Sequence, residues 1–80
     1  MLQRLQEIIA DVTGNPVHAI DPDSSHQTVD GWDSLAQINI IVTVESEFGV
    51  LFSPEQIHAL NSVRAICDAL QSTSAKAGLV

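Results

Sequence analysis

Residues 33–49 have the sequence DSLAQINIIVTVESEFG, and this stretch decides the fold. It contains four alternating β-branched residues, which by propensity alone favour a strand: Ile38, Ile40, Val42 and Val44. Three features favour a helix instead. Asp33 stands where an N-cap would, the stretch is much longer than the usual strand of about 5 or 6 residues, and Gly49 suits the position after a helix end. We therefore predict a helix over residues 34–48.

The sequence on both sides of this segment predicts three more helices. The first covers residues 2–13, where apolar residues recur at helical spacing until a glycine and an Asn-Pro pair end the pattern. A short helix follows the N-cap Ser53 and extends to about residue 60, and a last helix covers residues 63–71. Residues 15–33 form a long loop with a short helical turn near its start, at residues 16–20. The predicted fold class is all-α: an antiparallel four-helix bundle of three longer helices and one short helix, with a long first loop.

Size and composition restrict the possible functions. The chain has 80 residues and a mass of 8.6 kDa, so we expect one domain over residues 1–71 and a frayed C-terminal tail over residues 72–80. Ten acidic residues against three basic ones give a net charge of −7, which disfavours binding to nucleic acid or to an anionic membrane. The single cysteine, Cys67, cannot form an internal disulfide, and no zinc-type ligand spacing is present, so we predict no metal site. Without a signal or membrane-spanning pattern, we expect the protein in the cytoplasm. We also expect it to be a monomer.

The helix predicted over residues 34–48 has two apolar stripes. One stripe consists of Gln37, Ile40, Ile41, Val44 and Phe48. The other, which we name the docking stripe, consists of Leu35, Ile38 and Val42. A small bundle needs only one stripe to bury a helix. The docking stripe is therefore either additional core or a surface that meets a partner.

Asp33 and Ser34 form the beginning of this helix. The unpaired N–H groups and the positive dipole end of a helix favour an anion here, so a phosphate attached to Ser34 would be well placed. Taken alone, the pair is also explained by ordinary capping, because Asp and Ser are among the commonest residues at helix starts.

The wider sequence resembles the acyl carrier proteins. The resemblance is carried by Gly-Trp-Asp-Ser-Leu at residues 31–35, Glu-Ser-Glu-Phe-Gly at residues 45–49 and Phe-Ser-Pro-Glu-Gln-Ile at residues 52–57, and it extends from the first helix to Leu70. In that family the serine of Asp-Ser-Leu carries 4′-phosphopantetheine, whose thiol holds the acyl group as a thioester. The resemblance implies that Ser34 is the attachment site, that Asp33 is the helix cap beside it, and that the fold is a four-helix bundle.

Several positions differ from the family members of fatty-acid synthesis. Those members usually have acidic residues where this chain has Ala36 and Asn39, and an aromatic residue where this chain has His26. The Trp-Asp-Ser-Leu form at residues 32–35 is similar to discrete carriers of secondary metabolism. The resemblance thus implies a role in polyketide, other secondary-metabolite or fatty-acyl biosynthesis. An aminoacyl or peptidyl carrier of nonribosomal-type synthesis and a cofactor-free helical interaction module remain alternatives.

The resemblance also implies a carrier and not an enzyme. A Ser-His-Asp hydrolase is disfavoured, because Gly-x-Ser-x-Gly is absent and adjacent Asp33 and Ser34 leave no place for a histidine between them. The implied partners are a phosphopantetheinyl transferase and acyl-loading or acyl-processing enzymes of the ligase, ketosynthase or acyltransferase type. We expect them to contact the docking stripe together with Glu45. The start at Met1 and the length favour a discrete protein over an excised domain.

Three remaining residues have structural interpretations. Cys67 has helical spacing from apolar neighbours and is predicted to be a small core residue. His58 is expected on the solvent side of the short helix. Trp32 is expected to anchor the long loop to the bundle.

Overall fold

Four α-helices and one short 3₁₀ turn follow one another along residues 2–78, which are the residues that the computed structural model describes, with side chains described as far as Ser72. The helices are α1 (Leu2–Thr13), α2 (Ser34–Phe48), α3 (Pro54–Ala59) and α4 (Val63–Gly78), and the 3₁₀ turn is Val17–Ala19. The prediction of an all-α bundle with a long first loop is confirmed. The 3₁₀ turn lies inside the predicted range of residues 16–20.

Capping explains why α2 is a helix despite its β-branched residues. Asp33 has extended backbone angles, and its carboxylate accepts a hydrogen bond of 2.9 Å from the N–H of Ala36. At the other end, Gly49 adopts the left-handed conformation with φ of 66°, and its N–H donates to the carbonyl of Glu45. The predicted bounds of this helix, residues 34–48, are confirmed.

The last two helices differ from prediction at their ends. The capping box of Ser53 and Gln56 starts α3 as expected, but the helix ends at Ala59, one residue before the predicted end. The helix α4 continues to Gly78 and not to residue 71, because the sequence Ala75-Lys76-Ala77 favours a helix and no proline or glycine interrupts it earlier. The frayed tail was expected over residues 72–80, and the side chains of residues 73–80 lie outside the described part of the chain. The end of the domain at residue 71 therefore stays a prediction.

The core lies between α1, α2 and α4. Its fully buried side chains are Leu5, Ile9, Ile40, Ile41, Val44, Val63, Ile66 and Leu70. Cys67 is half-buried and packs against this cluster, as predicted. None of the helices within residues 2–78 is long and apolar enough to cross a lipid bilayer.

The long loop between α1 and α2 is fixed to the bundle along its length. Its residues Ile20, Val29 and Trp32 are buried in the core. Hydrogen bonds tie the loop to α1, to the start of α4 and to itself. Gln6 Nε2 of α1 donates to Ile20 O (2.8 Å), and Val63 N of α4 donates to Ser24 O (3.0 Å). His26 N donates to Asn61 O (3.0 Å), and Asn15 Nδ2 donates to Asp30 O (2.7 Å). The loop therefore holds the start of α2 in a defined place.

Candidate functional site

Ser34 is the first residue of α2, and its side chain is exposed. The carboxylate of Asp33 is occupied by the N–H of Ala36, so it fixes the helix start, as predicted for a cap. The other N–H groups of the first turn and the positive end of the helix dipole surround the serine. The position suits a hydroxyl that is to carry an anionic group.

Gly31 determines how the chain enters α2. Its φ is +86°, and a Cβ at this position would lie 2.8 Å from the carbonyl oxygen of Thr13. Only glycine fits both the left-handed conformation and this close approach. Asn15 donates to the oxygen of Asp30 in the same region, so the end of α1 positions the beginning of α2. In the sequence Gly31 stands out only as part of the Gly-Trp-Asp-Ser-Leu motif, although a glycine two residues before a helix cap is itself a signal of a special turn.

Trp32 anchors the loop through a polar contact as well as through burial. The side chain is 4% exposed, and its indole N–H donates to Gln37 Oε1 at 2.6 Å. The amide nitrogen of Gln37 donates in turn to the carbonyls of Ile57 (3.1 Å) and Leu60 (2.6 Å). One amide thus connects the loop, α2 and α3. Gln37 is the only polar residue of the stripe Gln37, Ile40, Ile41, Val44 and Phe48, and this was the signal in the sequence that could have indicated a buried hydrogen-bonding role.

A groove of about 470 Å³ begins at Ser34. Its apolar side is formed by Trp32, Ile38 and Ile57, and its polar groups come from His26, Gln37, His58 and Asn61. His58 is exposed, as predicted. The exposed hydroxyl, the capped helix end and the adjoining groove together fit a covalently attached arm that carries both polar and apolar parts.

The docking stripe is exposed and so is not additional core. The exposed fractions are 68% for Leu35, 56% for Ile38 and 56% for Val42. These three residues recur at spacings of three and four on α2, away from the buried Ile40 and Ile41. Large apolar side chains grouped in this way on a small protein are typical of an interaction surface.

Glu45 has a contact within the protein. It is half-buried, and its Oε2 accepts a hydrogen bond of 2.9 Å from the backbone N–H of Phe52. The carboxylate therefore holds the connection between α2 and α3. Its expected contribution to a partner surface stays a prediction.

Arg4 and Arg64 both form ion pairs, and neither lines the groove at Ser34. Within residues 2–72, whose side chains the structure describes, they are the only arginine or lysine residues. The Arg4 guanidinium hydrogen-bonds to Glu47, which lowers the pKa of that carboxyl and raises the pKa of Arg4. A hydrogen bond of 2.7 Å to Asp23 likewise raises the pKa of Arg64. The side chains of Arg4 and Glu47 are partly exposed and those of Arg64 and Asp23 are largely exposed, so these pairs add little stability. An anion at Ser34 would therefore meet the N-terminal end of α2 and not a guanidinium group.

Comparison with known proteins agrees with this geometry. The family model described as "Phosphopantetheine attachment site" matches residues 3–70. "Acyl carrier protein 3" of Ralstonia nicotianae is 27% identical over 98% of this chain and 90% of its own length. Proteins named "Acyl carrier protein" from Acidothermus cellulolyticus and Thermobifida fusca are 29% and 30% identical, over 96% and 89% of this chain and 92% and 90% of their own lengths. Because the family model covers most of the chain and the Thermobifida fusca protein is 30% identical over 89% of it, this protein belongs to the phosphopantetheine-attachment family and, within it, to the acyl carrier proteins.

Proposed function

We propose that the protein carries acyl groups as thioesters on a 4′-phosphopantetheine arm attached to Ser34. The arm is the covalent cofactor of this family, and when bound it supplies the thiol that holds the acyl group. The observation that supports Ser34 most directly is its place as the exposed first residue of α2. Asp33 fixes that helix start, and the first-turn N–H groups favour the phosphate.

The protein acts as a carrier and not as a catalyst in this proposal. Asp33 is engaged with Ala36, and His26 lies beside the carbonyl of Asn61, with Nδ1 to O at 3.3 Å. Neither group hydrogen-bonds to the Ser34 hydroxyl, and a nucleophilic serine requires a base within hydrogen-bond reach. The modification is instead performed by a phosphopantetheinyl transferase.

The docking stripe is proposed as the surface that the transferase and the acyl-processing enzymes contact. It begins directly beside Ser34 and continues for two turns along α2. Glu45 extends this surface, because only one of its carboxylate oxygens is used by Phe52 and the other can accept from a partner. Ligase, ketosynthase and acyltransferase enzymes are the classes that would load or process the acyl group.

The biosynthetic role is proposed to be polyketide, other secondary-metabolite or fatty-acyl synthesis. The observation that favours a role outside housekeeping fatty-acid synthesis is the neutral first half of α2, where Ala36 is buried and Asn39 is exposed. The names of the relatives favour acyl over aminoacyl or peptidyl cargo.

The test is incubation of the protein with coenzyme A and a phosphopantetheinyl transferase, followed by intact-mass and peptide analysis. We expect the addition of one phosphopantetheine, on Ser34. The Ser34→Ala variant should remain unmodified, whereas Ser46→Ala, which removes another exposed serine of α2, should be modified like the wild type. An unmodified wild-type protein would favour the cofactor-free interaction module.

A further inference from the structure

The amide of Gln37 makes three hydrogen bonds to three different residues. It accepts from the indole of Trp32 and donates to the carbonyls of Ile57 and Leu60, at distances between 2.6 and 3.1 Å. Trp32 precedes α2, whereas Ile57 lies in α3 and Leu60 directly follows it. The side chain therefore fastens α2 to the segments that lie on both sides of it.

Gln37 is also close to the attachment site. It is one helical turn after Ser34, lines the same groove, and is half-buried. Gln37 thus lines the groove while its amide bonds to two buried residues, Trp32 and Leu60. An acyl chain that moved from the groove toward the core between α2 and α3 would have to displace this amide.

Displacing the amide would be unfavourable for several groups at once. The indole N–H of Trp32 and the carbonyls of Ile57 and Leu60 would lose their partners next to an apolar chain, where no water could replace them. The free energy released by burying the acyl chain would be opposed by the cost of leaving these polar groups unpaired. With an apolar residue at position 37 there would be no such hydrogen bonds for an entering acyl chain to break.

We infer that Gln37 is a latch that keeps the acyl group of the loaded protein out of the bundle core. This inference rests on the proposed attachment at Ser34. The acyl group stays at the surface, and the stability of the loaded carrier does not depend on the length of the acyl chain. The class of cargo that suits such a carrier is a short or polar acyl group, which gains nothing from an apolar cavity.

The first measurement uses the wild-type protein alone. A phosphopantetheinyl transferase loads it with the acetyl or the decanoyl form of the arm from the corresponding coenzyme A thioester, and intact mass verifies each product. We expect thermal unfolding midpoints of the two forms to coincide within about 1 °C, and the emission of Trp32 to be the same. Modest burial of apolar surface in so small a domain raises the unfolding midpoint by about 5 °C or more. A decanoyl form that unfolds this far above the acetyl form would overturn the latch.

The second measurement compares variants. In Gln37→Ala we expect the decanoyl form to unfold at a higher temperature than the acetyl form. We also expect the emission of Trp32 to differ between the two forms. Asn39→Ala, which removes an exposed amide from the same helix, should behave like the wild type. Gln37→Met keeps the volume of the side chain without the hydrogen bonds and serves if the alanine variant does not fold.

The outcomes separate the two proposals. Folded Gln37 variants without any dependence on chain length would refute the latch. A loaded wild type whose unfolding depends on chain length would also refute the latch while supporting attachment at Ser34. A wild type that accepts no arm on Ser34 would refute the proposed function, and the latch with it.

Discussion

The neighbours Ile41 and Val42 give a direct test of the two faces of α2. Ile41 is 2% exposed and belongs to the core, whereas Val42 is 56% exposed and belongs to the docking stripe. Ile41→Ala removes buried carbons and leaves a cavity, which costs about 2–5 kcal/mol in a well-packed core. Domains of 80 residues have a free energy of unfolding of about 4–12 kcal/mol, so this variant should lose a large part of its stability or fail to fold.

Val42→Ala should have a much smaller effect on stability. More than half of the side chain is already in solvent, and it does not belong to the buried cluster. We expect a loss of only about 0.5 kcal/mol, as is usual for a surface substitution. The same variant should nevertheless slow the modification of Ser34 or the transfer of the acyl group to a partner enzyme, because truncating an apolar anchor weakens an interface.

Urea unfolding followed by fluorescence measures both effects, since Trp32 is the only tryptophan and is buried. With a slope of about 1 kcal/mol per molar urea, the midpoint should fall by about 2 M or more for Ile41→Ala and by about 0.5 M for Val42→Ala. A loading assay on the same samples reports the interaction with the transferase.

Two results would refute this reasoning. If Val42→Ala destabilised the protein as strongly as Ile41→Ala, the docking stripe would be part of the core. If Val42→Ala were stable and were loaded and unloaded at wild-type rates by every partner tested, the docking stripe would be exposed but without a role in binding.

Three further predictions concern the site and the surface charges. Gly31→Ala should lower the free energy of unfolding by about 2–4 kcal/mol, because its φ is positive and the new Cβ would press on the carbonyl of Thr13. Gly14 also has a positive φ but has open space around it, so Gly14→Ala should lower the free energy of unfolding by only about 1–2 kcal/mol in the same urea titration. Binding of a partner enzyme to the uncharged docking stripe should weaken by less than about tenfold between about 0.01 and 0.15 M salt, and a loss of orders of magnitude in a binding titration would contradict this. Because Arg4 lowers the pKa of Glu47, that carboxylate contributes stability above its ordinary pKa of 4.5 and loses the contribution as the pH falls through the lower folded value. Thermal unfolding against pH should therefore show a small acid-dependent loss in the wild type that Glu47→Gln lacks, and equal slopes for the two proteins would argue against this ion pair.

Local signals were sufficient to predict the helices. Asp33 and Gly49 mark the two ends of α2, and Ser53 with Pro54 marks the start of α3, because capping depends on residues next to one another in the sequence. The same signals were weak after residue 71, where small and polar residues hide a continuing helix.

Contacts between distant residues could not be predicted in this way. The spacing placed Gln37 on the core stripe, but its carbonyl partners come 20 and 23 residues later, and no periodicity indicates that distance. The contact between the Glu45 carboxylate and the N–H of Phe52 could not be predicted either, because it depends on how the chain turns back after α2. The pair of Arg4 and Glu47 is separated by 43 residues and depends entirely on how α1 packs against α2.

The fixed loop between α1 and α2 has a consequence for local unfolding. Val29 and Trp32 are part of the buried cluster, and the backbone of the loop bonds at Ser24 to the first residue of α4 and at His26 to Asn61, just before α4. The hydrogen-bonded amide groups of such a segment, those of His26 and Val29 among them, exchange with solvent only when the surrounding structure opens as a unit. The loop, although it has little regular secondary structure, therefore belongs to the same cooperative folding unit as the helices, and the serine at its end is displaced only when that unit opens.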